Sequence, residues 1–219
     1  MTSPAVEDYL KAIFQLSEHG QPVSTSAIAD RLGIAAGSVT GMLKRLADQG
    51  LVEHVRYHGT SLTREGERNA VRMIRRHRII EAFLVEILRY SWDRVHDEAE
   101  RLEHAASEEL IDRMAAVLGE PAADPHGAPI PSGHGAFHDT QYQSLADLGI
   151  GRPAVLRRVR DEDPEALRFL AGLKLVPGAR LEILDEQPFN GPRTVRIDDA
   201  TEILGREIAR AIQVEPVQP

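Results

Sequence analysis

The sequence predicts a mostly α fold with a small β domain: an N-terminal winged helix-turn-helix, a helical middle and a C-terminal SH3-like barrel. Three observations carry this. Residues 23–50 read as two short helices around a tight turn, followed by a hairpin over residues 51–63. Residues 64–118 keep helical periodicity, broken near Arg89–Asp93. From Ser144 the pattern changes to short strands with turns at Pro177-Gly178 and Asn190-Gly191. The expected boundaries are 1–73, 74–143 and 144–219.

The first helix covers residues 4–17. Pro4 suits a first turn, and Tyr9, Leu10, Ile13, Phe14 and Leu16 follow helical spacing. Asp8 reads there as an ordinary surface acid. A Ser/Thr cluster at 24–26 then caps a short helix that buries Ile28 and Leu32, and Gly33 ends it. After a turn over Ile34–Gly37, a second helix from Ser38 turns Val39, Met42, Leu43 and Leu46 inward. Its opening residues Ser38, Thr40 and Gly41 are small, which allows close approach to a major groove, and Lys44 and Arg45 follow within reach of phosphate or guanine. The hairpin, with His58-Gly59 near its turn, is the wing. A further helix starts at Thr63, with Gly66 where a capping box would place Glu. The DNA-facing set is therefore Thr25, Ser26, Ala35, Gly37, Ser38, Thr40, Lys44 and Arg45, with Arg56 and His58 in the wing. The plainer reading of residues 23–63 is a small domain that binds another protein.

Charge separates the two ends of the chain. The total is −8, but residues 1–78 hold 11 Lys/Arg against 8 Asp/Glu, a net of +3. The remainder holds 15 against 26, a net of −11. The first third can face phosphates while the rest supplies cation ligands. No apolar run approaches the roughly 18 residues of a membrane span, and no signal-peptide pattern opens the chain. There is no cysteine, so a cytoplasmic address is expected, and any metal must be held by oxygen and nitrogen.

The stretch Val95–His104 concentrates such ligands. His96, Glu100, Glu103 and His104 fall on one face if the stretch is helical throughout, with the two histidines roughly 12 Å apart along the axis. One ion cannot bind both. The spacing implies two sites, one on Glu100, Glu103 and His104 and another using His96. His77 and Glu81, one turn apart on the preceding helix, are placed to meet His96. A solvated acidic face is the plainer reading of either helix alone. Residues 119–135, with four prolines, form a loop and linker that contains Asp124 and His126. Strands are expected at 154–159, 180–184, 194–197 and 211–214, with a short helix at 163–170. The apolar surface of the middle helices exceeds the needs of one small bundle and favours a dimer.

With Arg76–Glu81 and Val95–His104 following a winged helix in that order, the chain resembles the DtxR/MntR family, the diphtheria-toxin-repressor-like metal-dependent transcriptional regulators. The resemblance runs over nearly the whole length and makes the C-terminal barrel a FeoA-type domain. It implies that Asp8, Glu100, Glu103 and His104 form the activating site, and that His77, Glu81 and His96 form a second, to which Asp124, His126 and Asp163 add ligands. Iron-type members carry Met and Cys where this chain has Asp8 and Glu100, so the all-carboxylate version resembles the manganese type and fits the oxygen preference of Mn²⁺. Manganese-type members without the barrel carry Glu at the place of Lys11 and build a two-metal cluster with it. Lys11 cannot do this, which leaves two separated sites.

The function implied is a dimeric Mn²⁺-responsive regulator that binds a palindromic operator in double-stranded DNA, with Fe²⁺ or another divalent transition metal as the alternative effector. Two rivals stand beside it. A di-metal hydrolase would use similar His/Glu helices, but no nucleophile or general base accompanies them, so no enzyme and no catalytic residue is expected. A metal-independent winged-helix adaptor would bind DNA without responding to an ion.

Overall fold

A computed structural model describes residues 3–17, 22–55, 58–132, 137, 140–160 and 163–217. The chain divides into two compact units. One comprises Met1–His77, Glu103–Ala106 and Pro131–Phe137; the other comprises Arg78–Leu102, Ser107–Ile130 and His138–Pro219. Among the described residues no helix is long and apolar enough to cross a membrane.

The first unit is a winged helix. It runs α1 (Pro4–Ser17), α2 (Thr25–Leu32), α3 (Ala36–Asp48), β1 (Val52–Val55), β2 (Gly59–Leu62) and the first part of α4 (Arg64–Glu86). Ser24 Oγ accepts from Ala27 N to cap α2, and Gly33 closes that helix in the left-handed region at φ 63°. The turn is shorter than expected, because α3 begins at Ala36 and not at Ser38. Gly37 and Ser38 thus lie in the first turn of α3. Periodicity sorted the faces well: Tyr9, Leu10, Ile13, Phe14, Ile28, Val39, Leu43 and Leu46 share one buried core, while Leu16, Leu32 and Met42 are only partly covered. Truncating one of the fully buried members to Ala typically costs about 2–5 kcal/mol. The wing hairpin pairs Val52 with Leu62 and Val55 with Gly59, and a reciprocal backbone bridge from Val23 to Thr60 adds a third strand position.

The second unit holds the rest of α4, then α5 (Val95–Leu102), α6 (Glu108–Val117) and the β domain. The long helical region is interrupted twice, not once. Residues 87–94 make the first break, and the second separates α5 from α6, whose N-cap Ser107 accepts from Leu110 N. The stretch 95–104 is therefore not one helix: α5 ends at Leu102, and Glu103 and His104 lie in the turn that follows.

The β domain is a six-stranded antiparallel sheet of order β3-β8-β4-β5-β6-β7. Its strands are β3 (Gln143–Ser144), β4 (Pro153–Val159), β5 (Arg180–Glu186), β6 (Arg193–Ile197), β7 (Ala200–Leu204) and β8 (Ile212–Pro216), with α7 (Pro164–Gly172) and α8 (Arg206–Ala211) between them. Inward residues of all but β3 close one core with α7, including Leu156, Ile183, Val195, Leu204, Val214, Leu167 and Leu170. This is the SH3-like architecture. Four strands match those expected; β3, β7 and α8 were not foreseen. Ala211, expected to open a strand, ends α8 instead. β7 escapes a pattern reading because its tight hairpin turns on Asp198, with φ 49°, and not on a glycine.

The wing and α4 meet at Gly66. Thr63 Oγ accepts from Gly66 N at 3.1 Å, so the helix is capped as the sequence suggests. A Cβ at Gly66 would stand 2.0 Å from the Leu51 carbonyl oxygen, which explains why no Glu can occupy that capping position. Gly41, by contrast, has helical backbone and nothing within 4 Å of such a Cβ. Gly66→Ala should therefore destabilise the protein by about 1–3 kcal/mol, and Gly41→Ala should stabilise it by up to about 1 kcal/mol. Thermal melts of the two variants check the opposite signs.

Candidate metal centre

Helix α1 and the turn after α5 build the first cluster, all within the first unit. Glu7 and Asp8 are neighbours on α1, and between them they hold the two ring nitrogens of His104. Nδ1 lies 2.8 Å from Glu7 Oε2, and Nε2 lies 2.9 Å from Asp8 Oδ1. Glu103 adds a third carboxylate, its Oε1 3.7 Å from His104 Nε2. Ligand atoms of Asp8, Glu103 and His104 all lie within 4.8 Å of one another.

Glu103 is wholly buried, and its charge is compensated from two sides. Lys11 Nζ donates to Oε1 at 3.1 Å and to Oε2 at 3.0 Å, and His77 Nδ1 lies 2.5 Å from Oε2. Lys11 Nζ is also 3.2 Å from His77 Nδ1. This network accounts for the early end of α5. One more helical turn is worth little beside seating a buried carboxylate on an ammonium and an imidazole.

Three carboxylates around one imidazole favour its protonated form. Burial works against the imidazolium, but the Glu7 hydrogen bond and the charges of Asp8, Glu103 and Glu7 outweigh it, so the His104 pKa rises above 6.5. The donor set is two carboxylates and an imidazole, with no thiol anywhere in the chain. It fits a divalent ion that accepts oxygen and nitrogen together.

The second unit holds another trio. Glu81, Asp124 and His126 are all buried, with ligand atoms within 4.8 Å of one another. Asp124 Oδ1 accepts from the backbone N–H groups of His126 (2.9 Å) and Ala128 (3.0 Å), which folds the proline-rich loop around it. His126 Nε2 donates to the Trp92 carbonyl at 2.8 Å, so Nδ1 is the nitrogen turned toward Glu81 Oε2, at 3.8 Å. This set also fits a divalent ion. His96 joins the same carboxylate from the other side, its Nδ1 3.1 Å from Glu81 Oε1 and its Nε2 3.8 Å from Glu100 Oε1.

Asp8, Glu103 and His104 come together in the first unit, whereas Glu100 belongs to the second unit beside His96. His77 belongs to the first unit beside Glu103. Asp163 serves a different purpose: exposed, it caps α7 by accepting from Glu165 N (2.9 Å) and Ala166 N (3.2 Å), and it enters none of these ligand groups. Glu7 was not foreseen.

The surface expected to meet DNA is open. Ala35, Gly37, Ser38, Thr40, Lys44 and Arg45 are exposed along α3, Ser26 is exposed on α2, and Thr25 is half-buried. Thr40 Oγ donates back to the Ala36 carbonyl at 3.2 Å. His58 is exposed at the hairpin turn, and Arg56 lies outside the described residues.

Comparison with known proteins gives one consistent result. Three family profiles match in order: the iron-dependent repressor N-terminal DNA-binding domain (residues 1–60), its metal-binding and dimerisation domain (63–132), and the FeoA domain (143–216). The iron-dependent repressor IdeR of Mycobacterium tuberculosis is 31% identical over 96% of this chain and 96% of its own length. A manganese-dependent transcriptional repressor solved with manganese is 41% identical, with a TM-score of 0.90 over 97% of this chain and 100% of that one. ScaR with bound Cd²⁺ is 30% identical, with a TM-score of 0.83 over 97% and 99% of the two chains.

The imidazolium of His104 makes ion uptake pH-dependent, with a definite sign. Its Nε2 must lose a proton before it can act as a ligand, so affinity for a divalent ion at this candidate site should rise as pH increases through the elevated His104 pKa, with about one proton released per ion on the acidic side. In the metal-free protein the sign reverses. The stabilisation from charged His104 is fully present below the unfolded value near 6.5 and is lost as pH rises through the folded value. Calorimetric titration in buffers of differing ionisation enthalpy measures the proton release, and His104→Gln should remove it.

Proposed function

The chain belongs to the iron-dependent repressor family, and from that premise we propose that it is a cytoplasmic, dimeric, manganese-responsive repressor of metal-homeostasis genes. One observation carries the reading. Asp8, a member of the first donor set, sits on the helix whose Leu10 and Ile13 share a core with Ile28 of α2 and with Val39 and Leu43 of α3. The group that draws Asp8 toward Glu103 and His104 therefore acts on the same rigid body that carries the DNA-facing residues.

In this reading Asp8, Glu103 and His104 hold the activating ion, and Glu81, Asp124 and His126 hold a second. The ion supplies the positive charge that lets clustered carboxylates stay close. Glu7 fixes the rotation of the His104 ring by accepting at Nδ1, which presents Nε2 to the site. Membership of Glu100 in the first set, and of His77 in the second, rests on the family resemblance. Manganese is the expected ion because Asp8 places a carboxylate, and no sulfur, in the activating set. Exposed Leu88, in the turn after α4, and Val117, at the end of α6, support pairing of two chains through the second unit, and a paired chain calls for a palindromic operator.

Selection of binding fragments from a random DNA pool with and without Mn²⁺ tests the proposal. The wild-type chain should enrich a dyad-symmetric sequence only when the ion is present, with Fe²⁺ as the competing effector. Asp8→Asn and His104→Ala should remain folded and lose the ion-dependent gain. Lys44→Ala, if that side chain contacts phosphate, should reduce the slope of log K against log salt by about 1 on every sequence. Arg45→Ala, if that side chain reads a guanine, should cost about 1–3 kcal/mol on the selected site alone. Enrichment of the same sequence without any ion would overturn the metal-responsive reading and favour the adaptor.

A further inference from the structure

We infer that Lys11 sets the metal threshold of the Asp8–Glu103–His104 site by acting as a tethered cation that competes with the incoming ion for Glu103. The inference rests on the reading of that trio as a metal site. Lys11 is a buried lysine, and its ammonium touches both oxygens of Glu103, at 3.1 and 3.0 Å. The Oε1 atom it holds is also the Glu103 oxygen nearest the trio, 3.7 Å from His104 Nε2. An ion binding to the trio must therefore share that oxygen with a fixed positive charge and bear its repulsion.

Two consequences follow, of opposite sign. Without the ion, Lys11 keeps the wholly buried Glu103 compensated, so the metal-free site does not collapse through an isolated anion. With the ion, the same ammonium weakens binding. A structural ion pair would give only the first effect, since losing it would loosen the ligands and lower affinity. A threshold device gives both. Such a residue lets a sensor keep strong ligands, for selectivity, while its affinity stays within the range over which the free ion varies.

Lys11→Gln separates the two. It retains an N–H donor for Glu103 and removes the charge, while Lys11→Arg retains the charge. Mn²⁺ affinity is measured by competition with a fluorescent chelator, and the relevant site is identified as the affinity class lost in Asp8→Asn. Lys11→Gln should lower the metal-free melting temperature by roughly 5–10 °C. It should tighten that class by about tenfold to a thousandfold, the range over which a neighbouring unit charge moves a carboxylate equilibrium. Lys11→Arg should leave the affinity close to wild type. Equal or weaker affinity in Lys11→Gln overturns the inference and leaves the metal site intact. A neutral variant that stays unfolded in saturating Mn²⁺ also overturns it, because the ion should then replace the missing charge. A wild-type chain with no Asp8-dependent class overturns the metal-site reading and this inference together.

Discussion

The first unit depends on a carboxylate with no access to water. Glu103 is wholly buried, and a bare anion there would be costly enough to neutralise itself or unfold its surroundings. What surrounds it follows from that constraint. Lys11 reaches it from α1, His77 reaches it from α4, and the chain leaves the helical path at Leu102 so that Glu103 can point inward. His104, the next residue, is then carried to the two acids of α1. A ligand set assembles around a group whose burial already requires cations nearby.

Helix α1 is consequently more than the first element of a winged helix. Its apolar face belongs to the domain core, through Leu10, Ile13 and Phe14, while its polar face carries Glu7, Asp8 and Lys11 in three distinct roles. One holds a histidine ring, one is a candidate ligand, and one is a counter-charge. A single helix thus joins the candidate ion site to the position of α3. Under the proposed function the coupling would require no separate relay, because Asp8 lies on a helix that shares packing contacts with α3, of the kind that tolerate little deformation.

How much of this was legible in the sequence differs by type of signal. Winged-helix periodicity was clear because Ile28, Val39, Leu43 and Leu46 are buried at helical spacing, and the Ser24 cap and Gly33 stop are local chemistry. His96, Glu100, Glu103 and His104 stood out as donors because four such residues in nine is unusual. The placement of the last two was less legible, since one continuous helix was assumed. No Gly or Pro marks the end of α5; the end is imposed by tertiary contacts of Glu103 that pattern reading does not contain. Glu7 was invisible for a related reason, as an acid on an amphipathic helix reads as solvated until its distant partner at position 104 is known. Asp163 carries a local signal as well. An Asp before Pro-Glu is also a strong N-cap, and the local use is the one observed.

Trp92 adds a property that none of the ligand geometry required. It is the only tryptophan in the chain, and its ring stacks on His126 with centroids 5.5 Å apart. The same imidazole donates to the Trp92 backbone carbonyl, so ring and peptide are both tied to one donor of the Glu81–Asp124–His126 trio. The intrinsic ultraviolet emission of this protein therefore comes predominantly from one indole placed against that trio, and the four tyrosines contribute at shorter wavelength. Paramagnetic quenching by Mn²⁺ would be registered there without any label. The Asp8–Glu103–His104 trio of the first unit, with no indole of its own, would have to be followed by other means. The chain carries an optical probe for one of its two candidate sites, and so a natural way to tell their filling apart.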